Sequence, residues 1–138
     1  MSHSIRCTWK DGMSFDAEVE GHTITIDAGE AVGGKNRGPT PKPLTLVSLA
    51  GCTGMDVISI LNKMKQPYTY FDVKVEGELT EEHPKQYHTV KIVYEFKKDD
   101  GLDEGKVQKA VELSQDRYCG VSAMLKKGLD LDYEIRYI

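Results

Sequence analysis

The sequence predicts a mixed α/β fold of the α+β kind, in which antiparallel sheet wraps a long central helix. Three features carry that expectation: strand patterns of period two near both ends, an apolar stretch in the middle, and helical periodicity from Asp103 onward. The middle stretch, "LVSLAGCTGMDVISIL" from Leu46 to Leu61, is apolar at almost every helical spacing, yet holds a thiol at Cys52 and a carboxylate at Asp56.

In chain order, "IRCTW" places Ile5, Cys7 and Trp9 on one face of a strand, and "HTITID" alternates in the same way. "KDG" and "EGH" supply turn chemistry between them, so the first third reads as an antiparallel meander. "AGEAVGGKNRGPTPKP", residues 28–43, is dense in glycine, proline and charge and is expected to be a loop. Thr40 suits a helix N-cap, and Pro41 and Pro43 suit a first turn, where a missing N–H costs little. The helix should run to about Lys65, ahead of Pro67. Leu44, Leu46, Val47, Leu49, Val57, Ile58, Ile60 and Leu61 leave it no broad polar face, so it needs cover on several sides.

Two cleanly alternating strands follow, one with Phe71, Val73 and Val75 inward, the other with Val90, Ile92, Tyr94 and Phe96. "TEEHPKQ" joins them as a polar loop. Val107, Ala110, Val111, Ser114 and Tyr118 recur at helical spacing, so "DEGKVQKAVELSQDRY" is an amphipathic helix, with a second helical segment in "CGVSAMLKK" ending at Gly128. A last strand puts Leu129, Leu131, Tyr133, Ile135 and Tyr137 on one face.

At 138 residues the chain is read as one domain, residues 1–138, and its 39% apolar and 29% charged composition is that of a globular protein with a core. A net charge of -4 without a basic or acidic tail argues against nucleic acid and membrane surfaces as partners. No run reaches the roughly eighteen consecutive apolar residues of a membrane span, and "MSHSIRCTWK" has no apolar secretory segment, so a cytoplasmic location is expected. Cys7, Cys52 and Cys119 form no CxxC pair and have no histidine at short range, which argues against structural zinc and against a disulfide framework. His3, His22, His83 and His88 have no triad-like neighbours and are assigned no chemistry.

A thiol buried in apolar surroundings is inert by default, and packing alone accounts for many buried cysteines. Cys7 is expected in the core. Asp56 lies one helical turn beyond Cys52 on the same face, where a carboxylate needs a cation or hydrogen-bond donors. That carboxylate raises the pKa of a neighbouring thiol, so a reactive Cys52 would need a positive group nearby, and Arg37 in the preceding loop is the candidate. Cys119, at a helix junction, is either a thiol activated by free N–H groups or a small apolar filler.

Taken together, "GPTPKPLTLVSLAGCTGMDVISIL" and, 67 residues after the first cysteine, "DRYCGVSAML" resemble the two signature segments of the OsmC/Ohr family, and the order of elements matches over nearly the whole chain. The helix is most similar to the branch reading "GGCxAxDVVSIL", that of the YhfA-like proteins. The resemblance implies an intertwined homodimer, with sheet from both subunits around the central helices and a site at the interface. It implies a thiol-dependent peroxidase in oxidative stress defence, without metal or bound organic cofactor. Cys52 would attack an organic hydroperoxide or hydrogen peroxide and become a sulfenic acid; Cys119 would condense with it to a disulfide, which a lipoyl or other thiol reductant opens. A nearby second thiol spares the sulfenic acid from over-oxidation.

The family's peroxide reductases place a glutamate nine or ten positions before the first cysteine, where this chain has Lys42 and Pro43, and an N-terminal arginine that here has no counterpart in its motif setting. Lys10 and Arg37 are stand-ins by chemistry only, and Lys42 or Arg37 would then favour the thiolate directly. The departure keeps a second function open: a non-enzymatic protein whose interface pocket, lined by Met55 and Tyr118, binds a small apolar ligand, with the cysteines as packing or a redox sensor.

Overall fold

A computed structural model describes residues 1–138, which form two compact units, 1–45 and 46–138. The first unit is the expected meander of β1 (Arg6–Asp11), β2 (Ser14–Val19) and β3 (His22–Ile26), paired antiparallel in that order. Glu20 and Gly21 join β2 to β3 in left-handed backbone at both positions, with φ of 50° and 80°, the geometry that matches the twist of a tight hairpin. The loop after β3 contains one short 3₁₀ turn, Glu30–Val32, and is tied down by Asp27, whose buried carboxylate accepts N–H bonds from Ala28, Lys35 and Arg37. Its glycines permit close approach: a Cβ on Gly34 would stand 1.9 Å from the Ala28 carbonyl oxygen, and one on Gly38 2.1 Å from that of Thr25.

Helix α1 (Pro41–Lys63) begins at the prolines and ends as Lys65 turns left-handed, φ 54°, with Gln66 N–H reaching back to Leu61 O at 3.0 Å. The second unit continues with β4 (Phe71–Leu79), β5 (Tyr87–Phe96), α2 (Glu104–Leu113), a π-helical turn Ser114–Tyr118, α3 (Gly120–Leu125) and β6 (Asp130–Tyr137). Asp103 caps α2 by accepting from Lys106 N–H at 3.1 Å. The sheet order is β4-β5-β6, antiparallel and then parallel. The parallel pair departs from the all-antiparallel expectation: the helices between β5 and β6 form the long crossover that returns the chain in the same direction.

Leu49, Thr53, Val57 and Leu61, four residues apart, make one buried stripe on α1; the core also takes Ile92, Tyr94 and Phe96 from β5 and Val107, Ala110 and Val111 from α2. Phe71 stacks on Phe96 at 4.6 Å between centroids, and Tyr94 meets Tyr133 edge-on at 5.9 Å. The cover expected on several sides of α1 is present on one side of this single chain: Val47 is 63% and Met55 76% exposed. By length and composition alone α1 is apolar enough to cross a membrane, with a mean hydropathy of 1.8, although its buried stripe packs in a protein core. Cys7 is exposed rather than in the core. Strand alternation marks an apolar face without saying what covers it, and Ile5 and Trp9 beside it are exposed as well.

Candidate functional site

Cys52 projects from the middle of α1, half-buried, and Asp56 follows one turn later on the same face. Cys119 arrives from a distant part of the chain. The π-helical turn ends at Tyr118, Cys119 N–H bonds Ser114 O at 2.7 Å, and Cys119 then adopts extended backbone as the N-cap of α3, 3% exposed. Its sulfur accepts from Ser122 N–H at 3.4 Å, while the Cys52 sulfur accepts from Val121 N–H. Two N–H groups that a helix start leaves without partners are thus satisfied by two thiols. One donor atom from each of Cys52, Asp56 and Cys119 lies within 4.8 Å of the others, and both thiols are free.

Burial pushes the Cys52 thiol above its ordinary pKa, and the neighbouring Cys119 and Asp56 push the same way against the Val121 N–H, which favours the thiolate. These influences hold Cys52 toward the neutral thiol, and the group that favours its thiolate is a backbone dipole, the Val121 N–H.

Behind the thiols runs a buried hydroxyl relay. Ser114 O–H donates to Asp56 Oδ2 at 2.9 Å, Thr53 Oγ1 stands 2.7 Å from Ser114 Oγ, and Tyr94 Oη stands 2.6 Å from Thr53 Oγ1. The carboxylate fixes the direction of every bond. Ser114 has one proton, so Thr53 must donate to Ser114, and Tyr94 to Thr53. Gln115 Nε2 closes the line by donating to Tyr94 Oη at 2.8 Å and Thr53 Oγ1 at 3.2 Å. Burial pushes the Tyr94 phenol up to about 12, which keeps it a donor. Thr53→Val, close in shape, strands the Tyr94 proton and opens the relay; we expect a loss of about 1–3 kcal/mol, read as a lower urea midpoint.

Asp56 also borders a cleft of about 400 Å³ shared with Lys63, Leu113 and Tyr118. A separate groove of about 550 Å³, almost wholly apolar, lies along Gly51, Gly54, Met55, Ile58, Phe71 and Val73. Within the single chain Met55 and Tyr118 line different grooves, which meet at Ser59.

Cys52 and Cys119 are brought together, and the donor demanded by Asp56 is Ser114. Arg37 belongs to the first unit and has its own partners there: its Nε is 3.3 Å from Asp27 Oδ2, Nη1 is 3.2 Å from Asp11, and Nη2 pairs with Asp11 as well. Serving a thiolate would mean sharing a cation already held between two carboxylates. Lys42 lies exposed in the first turn of α1 and Lys10 exposed in β1. Nothing in the sequence marks Thr53, Tyr94, Gln115 or the Val121 N–H as parts of the site. Ser114 carried the only visible signal, a hydroxyl on an otherwise apolar helical stripe.

Residues 33–134, spanning both thiols and the relay, match the family model described as OsmC-like protein. The chain belongs to the OsmC-like family. Protein YhfA of Escherichia coli K12 is 32% identical over 133 residues, covering 94% of this chain and 96% of that protein. A structure of a hypothetical protein from Aquifex aeolicus VF5 superposes with a TM-score of 0.83 at 28% identity, covering 100% of this chain and 98% of the other. The fold is also that of a Legionella pneumophila organic hydroperoxide resistance protein OsmC, with a TM-score of 0.72 at 14% identity and coverage of 100% and 98%. For this OsmC-like chain the likeness at 14% speaks to fold alone.

Proposed function

We propose that this OsmC-like protein is a thiol-dependent peroxidase acting in oxidative stress defence in the cytoplasm. The observation that carries the reading is the convergence of two free thiols, distant in sequence, on the start of one short helix. The Cys52 thiolate attacks a peroxide oxygen: an S–O bond forms, the O–O bond breaks, and the alcohol or water leaves with a proton. The Cys119 sulfur then attacks the sulfenic sulfur, forming the disulfide and releasing water. A dithiol reductant of lipoyl type supplies the two electrons and two protons that restore both thiols. Organic hydroperoxide is the substrate class named for the Legionella fold neighbour, and for this chain it is part of the proposal.

The working unit in this proposal is a homodimer. Gly51 supports it: this glycine sits exposed inside a helix, where it costs about 1 kcal/mol against alanine, and a Cβ there would meet nothing within 4 Å in its own chain. Close approach by a second copy would give that residue a purpose, and would cover Val47 and Met55.

A Cys119→Ser variant tests the chemistry. It should halt after one oxidation, with a sulfenic acid on Cys52 that dimedone traps as a single adduct; no adduct at Cys52 would remove the enzymatic reading. The apolar groove and the raised Cys52 pKa favour the alternative, an apolar-ligand protein, and a fatty acid displaced from that groove without any thiol oxidation would support it.

A further inference from the structure

We propose that the reduced Cys52–Asp56–Cys119 cluster is a binding site for a thiophilic divalent cation of the zinc class, with one coordination position open to the cleft. Short-range spacing in the sequence speaks against zinc, whereas these donors come from α1 and from a junction 67 residues after Cys52. Their donor atoms lie within 4.8 Å of one another. Around a tetrahedral zinc, with bonds of about 2.3 Å to sulfur and about 2.0–2.2 Å to oxygen, donors stand roughly 3.5–3.8 Å apart, so a small contraction completes the site.

Cys52 and Asp56 are four apart on a helix, the spacing that aims two donors from one face at one ion. The surroundings also suit bound metal. Ser114 O–H holds Asp56 through Oδ2 and leaves Oδ1 for a ligand bond, and each sulfur already accepts one backbone N–H, which would stabilise it as a thiolate. No cation is among the groups bonded to the three donors, so a bound ion would supply the missing positive charge. Two sulfurs and one carboxylate select a soft or borderline ion over magnesium or calcium. The cleft reaches the cluster on its Asp56 side, the side from which an ion would enter and a fourth ligand would come.

Binding replaces two S–H protons: two thiols, one carboxylate and M²⁺ become a complex of charge −1 and two released protons. The same thiols joined as a disulfide no longer offer thiolate ligands, so metal loading and oxidation exclude each other. The site thereby senses both a thiophilic metal and peroxide.

The test is anaerobic titration of the reduced Cys7→Ser protein with Co²⁺, followed by Zn²⁺. One ion per chain should produce thiolate-to-cobalt absorption in the near ultraviolet and intense visible bands of a tetrahedral ion, which Zn²⁺ abolishes by displacement. Calorimetry with Zn²⁺ in buffers of different ionisation enthalpy should count two released protons near neutral pH. Cys52→Ser should lose the thiolate band, and Asp56→Asn should weaken binding about tenfold or more, since losing a ligand costs at least as much as losing an outer-shell partner. No thiolate band at tenfold excess Co²⁺, or an undiminished band in Cys52→Ser, would overturn the proposal. Because no peroxide enters the titration, a protein that binds no cobalt yet consumes peroxide loses this proposal alone, and one that binds cobalt yet ignores peroxide loses only the peroxidase reading.

Discussion

Cys52→Ser is expected to abolish peroxide consumption altogether, down to the buffer rate. The hydroxyl is a far weaker nucleophile than a thiolate and cannot become a sulfenic acid, and Cys119, 3% exposed, is poorly placed to meet a peroxide first. The wild-type rate should itself depend on pH in a particular sense. Burial holds the Cys52 thiol above its ordinary pKa, so the thiolate fraction at neutral pH falls below the few per cent of a free thiol. Below that raised pKa each unit of pH adds about tenfold to the thiolate, and stopped-flow peroxide consumption should keep climbing through pH 8. A flat profile between pH 6 and 8 would mean that another group lowers the Cys52 pKa in the working protein. A Cys52→Ser protein that consumes peroxide at the wild-type rate would place the chemistry elsewhere.

Met55→Glu should convert the protein from a dimer to a single chain of 15.4 kDa in light scattering. In an isolated chain Met55 is 76% exposed, and a surface change of this kind costs about half a kcal/mol or less. Buried against a second copy, the new carboxylate would sit unpaired among Val47, Gly51 and the matching face of its partner, a penalty of several kcal/mol per subunit. The two situations differ enough to be separated by mass alone. Wild-type protein running as a monomer at micromolar concentration would remove the dimer from the proposal, and with it the explanation offered for Gly51.

Much of this architecture was legible because its signals are local. Period-two alternation at Phe71–Val75 and Val90–Phe96, proline at the start of α1, and the capping Asp103 each state a backbone preference without help from distant residues. The parallel pairing of β6 was not legible, since alternation says which face is buried and nothing about the neighbour's direction. Cys7 failed for the same reason. At the site, Cys52, Asp56 and Cys119 were visible as chemical types out of place. The relay was not: Thr53 reads as an ordinary helix residue and Tyr94 as one more inward aromatic, and only the π-helical turn after Leu113 swings Ser114 and Gln115 toward them. Arg37 stands out by charge and position in sequence, neither of which shows that Asp11 and Asp27 already hold its guanidinium.

The most direct measurement is the intact mass of the reduced protein after brief exposure to cumene hydroperoxide, beside hydrogen peroxide, followed by peptide mapping. The expected result is rapid loss of two hydrogens, mapping to a disulfide between Cys52 and Cys119, with Cys7 still free. A protein that stays fully reduced at modest peroxide excess, or a disulfide that involves Cys7 instead, would contradict the peroxidase proposed here.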